Sequence, residues 1–272
     1  MNDHITPIVI VGARGRMGKV LIREVIASDN YVLLGAVDRS GGPGIGQDAG
    51  RLAGTVEVGV LVEDELMPRR SAVVVDFSLP QATEANIRRC RDAGAPLILG
   101  TTGLEASTRA MLAEAAREIP IVSDANFSVG ITLLARLAGL AARALGDSWD
   151  AEIIEIHHKH KRDAPSGTAL RLAKSVAKAT GRNLADVIRT DRSGTAAEPR
   201  SDGEIGIAAI RGGDSVGEHQ LLFLADGERL ELGHRAHDRA IFARGALRAA
   251  RWAEGRAPGL YDMADVLGLG AL

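Results

Sequence analysis

The chain has 272 residues, of which 46% are apolar, enough for one large globular domain or two of ordinary size. Lysine and arginine number 33 against 35 aspartates and glutamates, so the formal net charge is -2 and no basic excess is present to hold a nucleic-acid backbone. Aromatic residues make up only 3% of the chain, which argues against base-stacking platforms and predicts an aliphatic core.

Cysteine usage and the absence of long apolar runs bear on the compartment. Cys90 is the single cysteine and cannot form an intramolecular disulfide; its arginine neighbours indicate a helix surface in a reducing compartment. No apolar stretch approaches the roughly 20 residues of a membrane span, and the sequence after Met1 lacks the pattern of a secretory signal. We therefore expect a cytoplasmic protein with neither a membrane nor a nucleic-acid partner.

From Pro7 onward, short β-branched runs alternate with segments of helical period, which predicts parallel βαβ units in a doubly wound domain. Met17, Leu21 and Val25 recur every four residues, as on a helix packed against a sheet. The predicted strands are wholly apolar or nearly so and span residues 8–11, 31–37, 73–77, 97–99 and 121–122. Residues 40–54 contain six glycines and no periodicity, which predicts a surface loop beside the ligand crevice rather than core.

A different pattern follows residue 130. Residues 131–145 are apolar at almost every position and predict a helix that is buried on most faces, between two domains. Strands are then predicted at residues 204–211, 216–224 and 229–235, with antiparallel hairpin turns at 212–214 and 226–227, so that an open mixed sheet forms. The polar run 184–203 resembles a flap, and the last helix, at residues 239–252, is expected to return to the first domain.

The fold class predicted is therefore α/β, a Rossmann-like doubly wound parallel sheet plus a second α+β domain. We expect a dinucleotide-binding domain at residues 1–128, joined by a C-terminal helix at 239–272, and a substrate-binding and oligomerisation domain at residues 129–238.

A glycine-rich turn follows the first strand. Gly12, Gly15 and Gly18 are spaced G-x-x-G-x-x-G and open the first helix, where a pyrophosphate can approach the backbone at the positive end of the helix. Asp38 ends the second strand and is placed to accept hydrogen bonds from an adenosine ribose, whereas the neighbouring Arg39 is suited to the 2′-phosphate of NADPH. The alternatives are a plain strand-to-helix turn and a solvated ion pair.

Two later strand ends also point to a ligand crevice, because ligands of open α/β sheets bind at the carboxyl ends of strands. Gly100, Thr101 and Thr102 follow one strand, and Asp124 to Phe127 follow another. Small residues and hydroxyls there would line a nicotinamide pocket. Simple helix capping by Thr and Asn is an equally open explanation.

The densest polar chemistry lies between Glu152 and Leu170. Histidine, lysine and arginine crowd residues 157–162, which indicates attraction of an anion such as a dicarboxylate, and Pro165 to Thr168 open a helix whose N–H groups can hold a carboxylate. A zinc site is disfavoured because no cysteine or carboxylate stands at a ligand spacing beside these histidines. A solvated basic surface strand is the stronger alternative. Against it, reduction of a carbon–nitrogen or conjugated double bond by a nicotinamide requires one proton for every hydride, and histidine is suited to supply that proton near neutral pH.

Five motifs in order resemble the 4-hydroxy-tetrahydrodipicolinate reductase family, also called dihydrodipicolinate reductase, of lysine biosynthesis. They are E-I-I-E-I-H-H-K-H-K-R-D-A-P-S-G-T-A-L at Glu152, G-A-R-G-R-M-G at Gly12, G-T-T-G at Gly100, N-F-S-V-G at Asn126 and V-G-E-H at Val216. The resemblance spans nearly the whole chain. It implies NAD(P)H-dependent reduction of a cyclic dicarboxylate in the diaminopimelate route, a homotetramer assembled by the second domain's sheet, and closure of one domain on the other.

The resemblance also implies roles for individual residues. His157 is expected to transfer the proton and Lys161 to be a second donor, while His158, Gly167 and Thr168 bind substrate carboxylates. No metal is expected. The residues implied to hold NADH or NADPH are Gly12, Ala13, Arg14, Gly15, Arg16, Met17, Asp38, Arg39, Gly100, Thr101, Thr102, Asp124, Ala125, Asn126 and Phe127.

One residue departs from the family pattern, because Asp124 stands where a small neutral residue is expected, and its carboxylate can alter cofactor affinity. Two rival functions share the first domain. A dehydrogenase acting on an amino acid such as aspartate would not require the segment from His157 to Thr168. A non-catalytic dinucleotide sensor would need no proton donor.

Overall fold

The structure is a computed structural model that describes residues 4–192 and 199–270. The chain forms two compact units, the first running to Val129 and including Arg239–Gly268, the second containing Gly130–Asp238. The elements in chain order are β1 (Thr6–Val11), α1 (Arg16–Ile26), β2 (Tyr31–Val37), α2 (Ala49–Leu52), β3 (Val62–Glu63), β4 (Val73–Asp76), α3 (Pro80–Ala93), β5 (Leu97–Leu99), α4 (Ala106–Ala115), β6 (Pro120–Ser123), α5 (Val129–Leu145), β7 (Asp150–His157), α6 (Gly167–Ala179), α7 (Leu184–Val187), β8 (Ile188–Arg189), β9 (Ile205–Arg211), β10 (Gly217–Ala225), β11 (Glu228–Ala236), α8 (Ala240–Ala253), β12 (Gly259–Tyr261) and α9 (Met263–Val266).

The first unit is built on a seven-stranded parallel sheet with the order β12-β6-β5-β4-β1-β2-β3. The strand order reverses between β1 and β4, so the chain winds outward in both directions from the centre. A crevice opens outside the carboxyl ends of the strands at such a reversal. The predicted Rossmann-like doubly wound sheet is confirmed, with β3 and β12 as additional edge strands.

Both faces of this sheet are covered because alternate side chains of each strand point to opposite sides. Ile10 of β1 packs in one apolar cluster with Leu21 of α1 and Ala243 of α8, whereas Val11 belongs to a second cluster with Ile87 of α3. Strands buried on both faces are continuous apolar runs, which is why β-branched residues dominate them. Full burial of one such large aliphatic side chain stabilises the fold by about 1.5–3 kcal/mol.

Three details of the first unit differ from the prediction. The strand predicted at residues 73–77 as wholly apolar ends at Asp76, a fully buried carboxylate. Cys90 lies in the core and not on a helix surface, because it occupies the buried stripe of α3. The predicted loop at residues 40–54 contains α2, whose first turn Asp48 caps, and it contributes Ala49 and Ala53 to the core. Burial raises the pKa of the Cys90 thiol.

The last helix, predicted at residues 239–252, is observed as α8 (Ala240–Ala253), but the C-terminal segment 239–272 is not helical throughout. Helix α8 ends at Ala253, because Gly255 adopts a left-handed φ of 74° and Pro258 cannot continue a helix. The chain then adds β12 to the sheet beside β6 and forms the short α9. Residues Arg239–Gly268 belong to the first compact unit.

The second unit contains a five-stranded mixed sheet with the order β11-β10-β7-β9-β8. The antiparallel hairpin predicted at residues 226–227 joins β10 to β11. The hairpin predicted at residues 212–214 is wrong: β9 pairs in parallel with β7, and β7 lies between β9 and β10. The glycine signal correctly indicated a reversal of direction, but a turn does not determine whether the reversed strands are neighbours.

One face of the second sheet packs against α5 and α6, with Ile153 of β7 and Leu172 of α6 fully buried. Helix α5 is less buried than predicted, because Leu133, Leu137 and Leu140 recur along one side and are 43%, 39% and 46% exposed. The predicted flap at residues 184–203 contains α7 and β8, and its residues 193–198 lie outside the described part of the chain.

Candidate active site

A cavity of about 710 Å³ opens at the strand reversal of the first unit. Residues that directly follow β1, β2 and β4 form its wall, together with side chains of α3. Its lining therefore includes Gly12, Arg14, Gly15, Arg16, Asp38 and Arg39, six of the residues named as cofactor-binding from the sequence. The carboxyl ends of three parallel strands bring these residues together.

The glycine turn has the geometry that close approach of a phosphate requires. Gly12 adopts a left-handed φ of 84°, and a Cβ there would be 2.9 Å from the carbonyl oxygen of Phe77. A Cβ on Gly18 would be 2.0 Å from the oxygen of Gly12, so α1 packs on the turn only without a side chain. Helix α1 begins after Gly15 with no side-chain cap, which leaves its first N–H groups for an anion. A dinucleotide therefore fits this turn.

Asp38 is held by backbone groups. Its carboxylate accepts hydrogen bonds from the N–H of Arg14 at 2.8 Å and from the N–H of Arg39 at 2.9 Å. The Nε atom of Arg14 lies 3.9 Å from the same carboxylate. Arg14 and Arg39 thus line the cavity together with Asp38, so groups suited to a ribose hydroxyl and to a 2′-phosphate are both present.

Two apolar residues of the glycine motif contact the core of the first unit to different extents. Ala13 is fully buried in the apolar cluster that also contains Leu21 of α1, and Met17 is partly buried against that cluster. The side chain of Ala13 is therefore unavailable to a cofactor, whereas Met17 remains partly exposed. This distinction cannot be read from the motif.

The strand ends after β5 and β6 adjoin the cavity through Phe77. A Cβ on Gly100 would be 2.3 Å from the Phe77 ring, so a side chain at position 100 would displace that ring. Thr101 is buried and donates to the carbonyl of Ser78 at 3.4 Å, whereas Thr102 is exposed. The ring of Phe127 lies 5.6 Å from that of Phe77.

Asp124 connects the loop after β6 to the C-terminal segment. Its Oδ1 accepts from the N–H of Asn126 at 3.1 Å, and its Oδ2 accepts from the N–H of Met263 at 3.3 Å. Asn126 in turn accepts from the N–H of Ser128 at 2.9 Å. Ala125, between Asp124 and Asn126, is exposed. The Asp124 carboxylate therefore bonds with backbone groups of its own unit.

In the second unit, a buried carboxylate lies beside the proposed proton donor. His157 ends β7 with 8% of its surface exposed, and its Nδ1 is 2.5 Å from Oε2 of Glu155. Glu155 is fully buried and receives Arg211 through both carboxylate oxygens, at 2.7 and 2.8 Å. Its Oε1 also accepts the N–H of Ser166 at 2.9 Å. Each carboxylate oxygen of Glu155 thus takes part in two hydrogen bonds, with His157, Arg211 or Ser166.

Burial and charge set the pKa values here. Burial lowers the pKa of His157, and the charges of Lys161 and Arg211 lower it further, while Glu155 acts in the opposite direction. Burial lowers the pKa of His219 to about 4, so this ring is neutral near pH 7. Burial would raise the pKa of Glu155, but hydrogen bonds from Arg211, His157 and Ser166 outweigh it and the net shift is downward.

The basic segment after β7 is folded back on the sheet. The N–H of His158 donates to the carbonyl of Ser215 at 2.8 Å, and the ring of His158 lies 6.2 Å from that of His160. The ammonium of Lys161 is paired with Asp163, with Nζ to Oδ2 at 2.8 Å. An anionic substrate would therefore compete with Asp163 for Lys161.

Helix α6 begins at the predicted carboxylate-binding turn. Ser166 is its N-cap, and its Oγ accepts the N–H of Ala169 at 3.2 Å and lies 3.0 Å from Nε2 of His219. Gly167 has open space where a Cβ would be, so its backbone is accessible. Thr168 follows in the first turn. The side chain of Ser166 is committed to capping, which leaves the next N–H groups for a ligand.

The sequence analysis assigned no role to four residues that surround His157, namely Glu155, Arg211, His219 and Gly217. Glu155 and His157 are two residues apart and so share one face of a strand, a signal that was available. Arg211 lies directly opposite His157 on β9 and His219 opposite Glu155 on β10, and these pairings depend on strand register. Within residues 4–192 and 199–270, no cluster of three or more His, Cys, Asp or Glu side chains is arranged to hold a metal ion.

Comparison with known proteins identifies the family. Residues 6–127 match the family described as dihydrodipicolinate reductase, N-terminus, and residues 130–267 match dihydrodipicolinate reductase, C-terminus. The chain belongs to the dihydrodipicolinate reductase family. Among similar members, a 4-hydroxy-tetrahydrodipicolinate reductase of Anaeromyxobacter dehalogenans (strain 2CP-C) is 49% identical over 97% of this chain and 98% of its own.

A second member of the dihydrodipicolinate reductase family, from Alkalilimnicola ehrlichii (strain ATCC BAA-1101 / DSM 17681 / MLHE-1), is 52% identical over 97% of this chain and 99% of its own. The fold is that of a dipicolinate-bound dihydrodipicolinate reductase from Paenisporosarcina sp. TG-14, with a TM-score of 0.74 and 22% identity over 96% of this chain and 98% of that one. In the described residues, none of the helices combines the length and the apolar character needed to cross a bilayer.

Proposed function

We propose that this chain catalyses the NAD(P)H-dependent reduction of 4-hydroxy-tetrahydrodipicolinate to tetrahydrodipicolinate, in the diaminopimelate route to lysine. Relatives about half identical over nearly the full chain carry the name of this reductase. The observation that carries the proposal is the pairing of buried His157 with Glu155 at the end of β7, beside a basic segment and a helix N-terminus. A dinucleotide sensor has no need of this arrangement.

The first unit is proposed to bind NADH or NADPH. The glycine turn from Gly12 to Gly18 would receive the pyrophosphate, and Asp38 and Arg39 would face the adenosine ribose. Gly100 and the loop from Asp124 to Phe127 would lie toward the nicotinamide. The bound nicotinamide supplies a hydride. Arg14 adds a second guanidinium near Asp38, which favours acceptance of the 2′-phosphate of NADPH without excluding NADH.

The second unit is proposed to bind the substrate dicarboxylate. Lys161 and His158 would neutralise one carboxylate, and the N–H groups of Gly167 and Thr168 would receive the other at the start of α6. Fixing both carboxylates orients the ring of the conjugated imine that forms after loss of water.

His157 is proposed to supply the proton that must accompany each hydride. Its Nδ1 is bonded to Glu155, so in the imidazolium form Nε2–H would donate the proton, which leaves the neutral ring with its remaining proton on Nδ1. The positive charge of Lys161 lowers the pKa of the His157 ring, and the negative charge of a bound substrate dianion would raise it. Lys161 is then a second donor.

The deciding experiment follows oxidation of NADH and NADPH by the purified protein in the presence of the freshly generated cyclic substrate. We expect turnover with at least one cofactor and none when aspartate or its oxo acid replaces the substrate. Binding of either cofactor without turnover would identify a sensor, and turnover with the amino acid would identify the rival dehydrogenase.

A homotetramer in the cytoplasm is the proposed state of the enzyme. The sheet face of the second unit opposite α5 and α6 retains partly exposed apolar residues, including Ile154, Ile156 and Ile210, of which the last is 48% exposed. Pairing of such faces between copies would bury this surface. Sedimentation of the purified protein tests this: a concentration-independent monomer would exclude it.

A further inference from the structure

The buried carboxylate of Glu155 contacts both the ring of the proposed proton donor and the turn at the start of α6. Oε2 of Glu155 meets the ring of His157, and Oε1 of the same residue meets the backbone of Ser166 at the start of α6. Arg211, at the end of β9, donates a hydrogen bond to each of the two carboxylate oxygens. The side chain is 0% exposed, so water does not compete for these bonds.

The bond to Nδ1 decides which imidazole nitrogen carries the proton in the neutral ring. A carboxylate can only accept, so Nδ1 must be the N–H and Nε2 the atom with the lone pair. Nε2 faces Gly217, where a Cβ would be only 2.9 Å away, so a side chain at position 217 would press against this nitrogen.

The bond to the Ser166 N–H fixes the helix end. Ser166 is the N-cap of α6, and its conformation determines where the N–H groups of Gly167 and Thr168 point. Movement of the Glu155 carboxylate would therefore shift both the ring of His157 and the first turn of α6. A hydrophobic residue of similar size could fill the space but could perform neither task.

We propose that Glu155 is the positioning residue of this site: its single carboxylate holds His157 in the Nδ1–H tautomer and, through Ser166, fixes the α6 turn that receives the substrate. This role rests on the proposed function. Arg211 keeps the carboxylate ionised and oriented, because a bidentate guanidinium pair restricts rotation as well as supplying charge.

The test uses Glu155→Gln, which keeps the shape and removes the charge, and Glu152→Gln as the matched control. Glu152 lies on the same strand and pairs with Arg192 and Arg200, but it lies on the opposite face from His157. The groups that influence the His157 ring and must be counted in any pH profile are Glu155, Lys161, Arg211 and His219, together with Asp163, the ion-pair partner of Lys161.

For Glu155→Gln we expect kcat to fall about 10–100-fold through misplacement of the donor. The basic limb of the kcat profile should move down by about one pH unit, because the anion that favoured imidazolium is lost. Binding of dipicolinate, used as a planar dianion probe, should weaken. Glu152→Gln should leave all three values within about twofold of the parent. Equal shifts in both variants, or none in Glu155→Gln, would overturn the proposal.

A measurement on the unaltered protein covers the case in which Glu155→Gln does not fold. Nitrogen-15 NMR of the histidine rings, above the pKa of His157, should show a protonated Nδ1 and a bare Nε2. A bare Nδ1 would overturn the role of Glu155 whatever the activity. Absence of turnover alongside the expected tautomer would instead count against the proposed reaction, so the two failures are distinguishable.

Discussion

Nε2 of His157 lies so close to Gly217 that a Cβ at position 217 would be 2.9 Å from it. Gly217 begins β10, and the pairing of β10 with β7 brings it beside the end of the neighbouring strand. The glycine of the V-G-E-H motif thus leaves room for the proposed proton-transfer atom, a role that sequence spacing does not reveal.

Gly217→Ala is therefore expected to lower kcat by about 10–100-fold, because the methyl group must displace the ring or cover Nε2. Gly212→Ala is the control, since position 212 has open space for a Cβ in the preceding turn. Steady-state kinetics and thermal unfolding of both variants check this. Unchanged kcat in Gly217→Ala would show that Nε2 does not need this opening.

His157→Ala separates proton transfer from cofactor binding. The cofactor groove belongs to the first unit and His157 to the second, so the Kd for NADH should change less than about twofold while kcat falls about 10²–10⁴-fold. Fluorescence titration of NADH and steady-state rates measure the two quantities. Equal losses in both would disprove the proton-transfer role.

Asp124→Ala tests whether the unexpected carboxylate is structural. Two backbone N–H groups, of Asn126 and Met263, lose their acceptor, so the free energy of unfolding should fall by about 1–3 kcal/mol. Glu57→Ala, which removes an exposed partner of Arg51, should cost less than about 1 kcal/mol. Denaturant unfolding measures both; similar costs would assign Asp124 no special structural role.

The neutral state of His219 predicts a pH dependence of stability. Its pKa is lowered from 6.5 to about 4, so between these values the unfolded chain binds more protons and stability falls as the pH falls. The loss amounts to about 3 kcal/mol at most. His157 and His234 shift in the same direction and add to the slope.

His219→Gln should flatten the dependence of unfolding free energy on pH between 6.5 and 4, while retaining a polar group near Ser166. The exposed His237→Gln serves as the control variant. Denaturant unfolding at several pH values provides the measurement. A slope that is as steep in His219→Gln as in the parent would assign the effect to other groups.

Local sequence determined much of this protein. The apolar runs specified β1, β2 and β5, the glycine spacing specified the turn before α1, and the motif from Glu152 to Leu170 identified the family. These features depend on side-chain period, backbone freedom and residue order, which are all local properties. The sequence also named six residues that line the cavity of the first unit.

Tertiary structure decided what depends on neighbours that are distant in the chain. Strand pairing inserted β7 between β9 and β10 and so placed Arg211 opposite His157 and His219 opposite Glu155. Packing buried Cys90 and turned Ala13 inward, although both stand among polar residues in the sequence. Register and packing arise from long-range contacts, so neither the partners of a catalytic group nor its pKa can be read from local order.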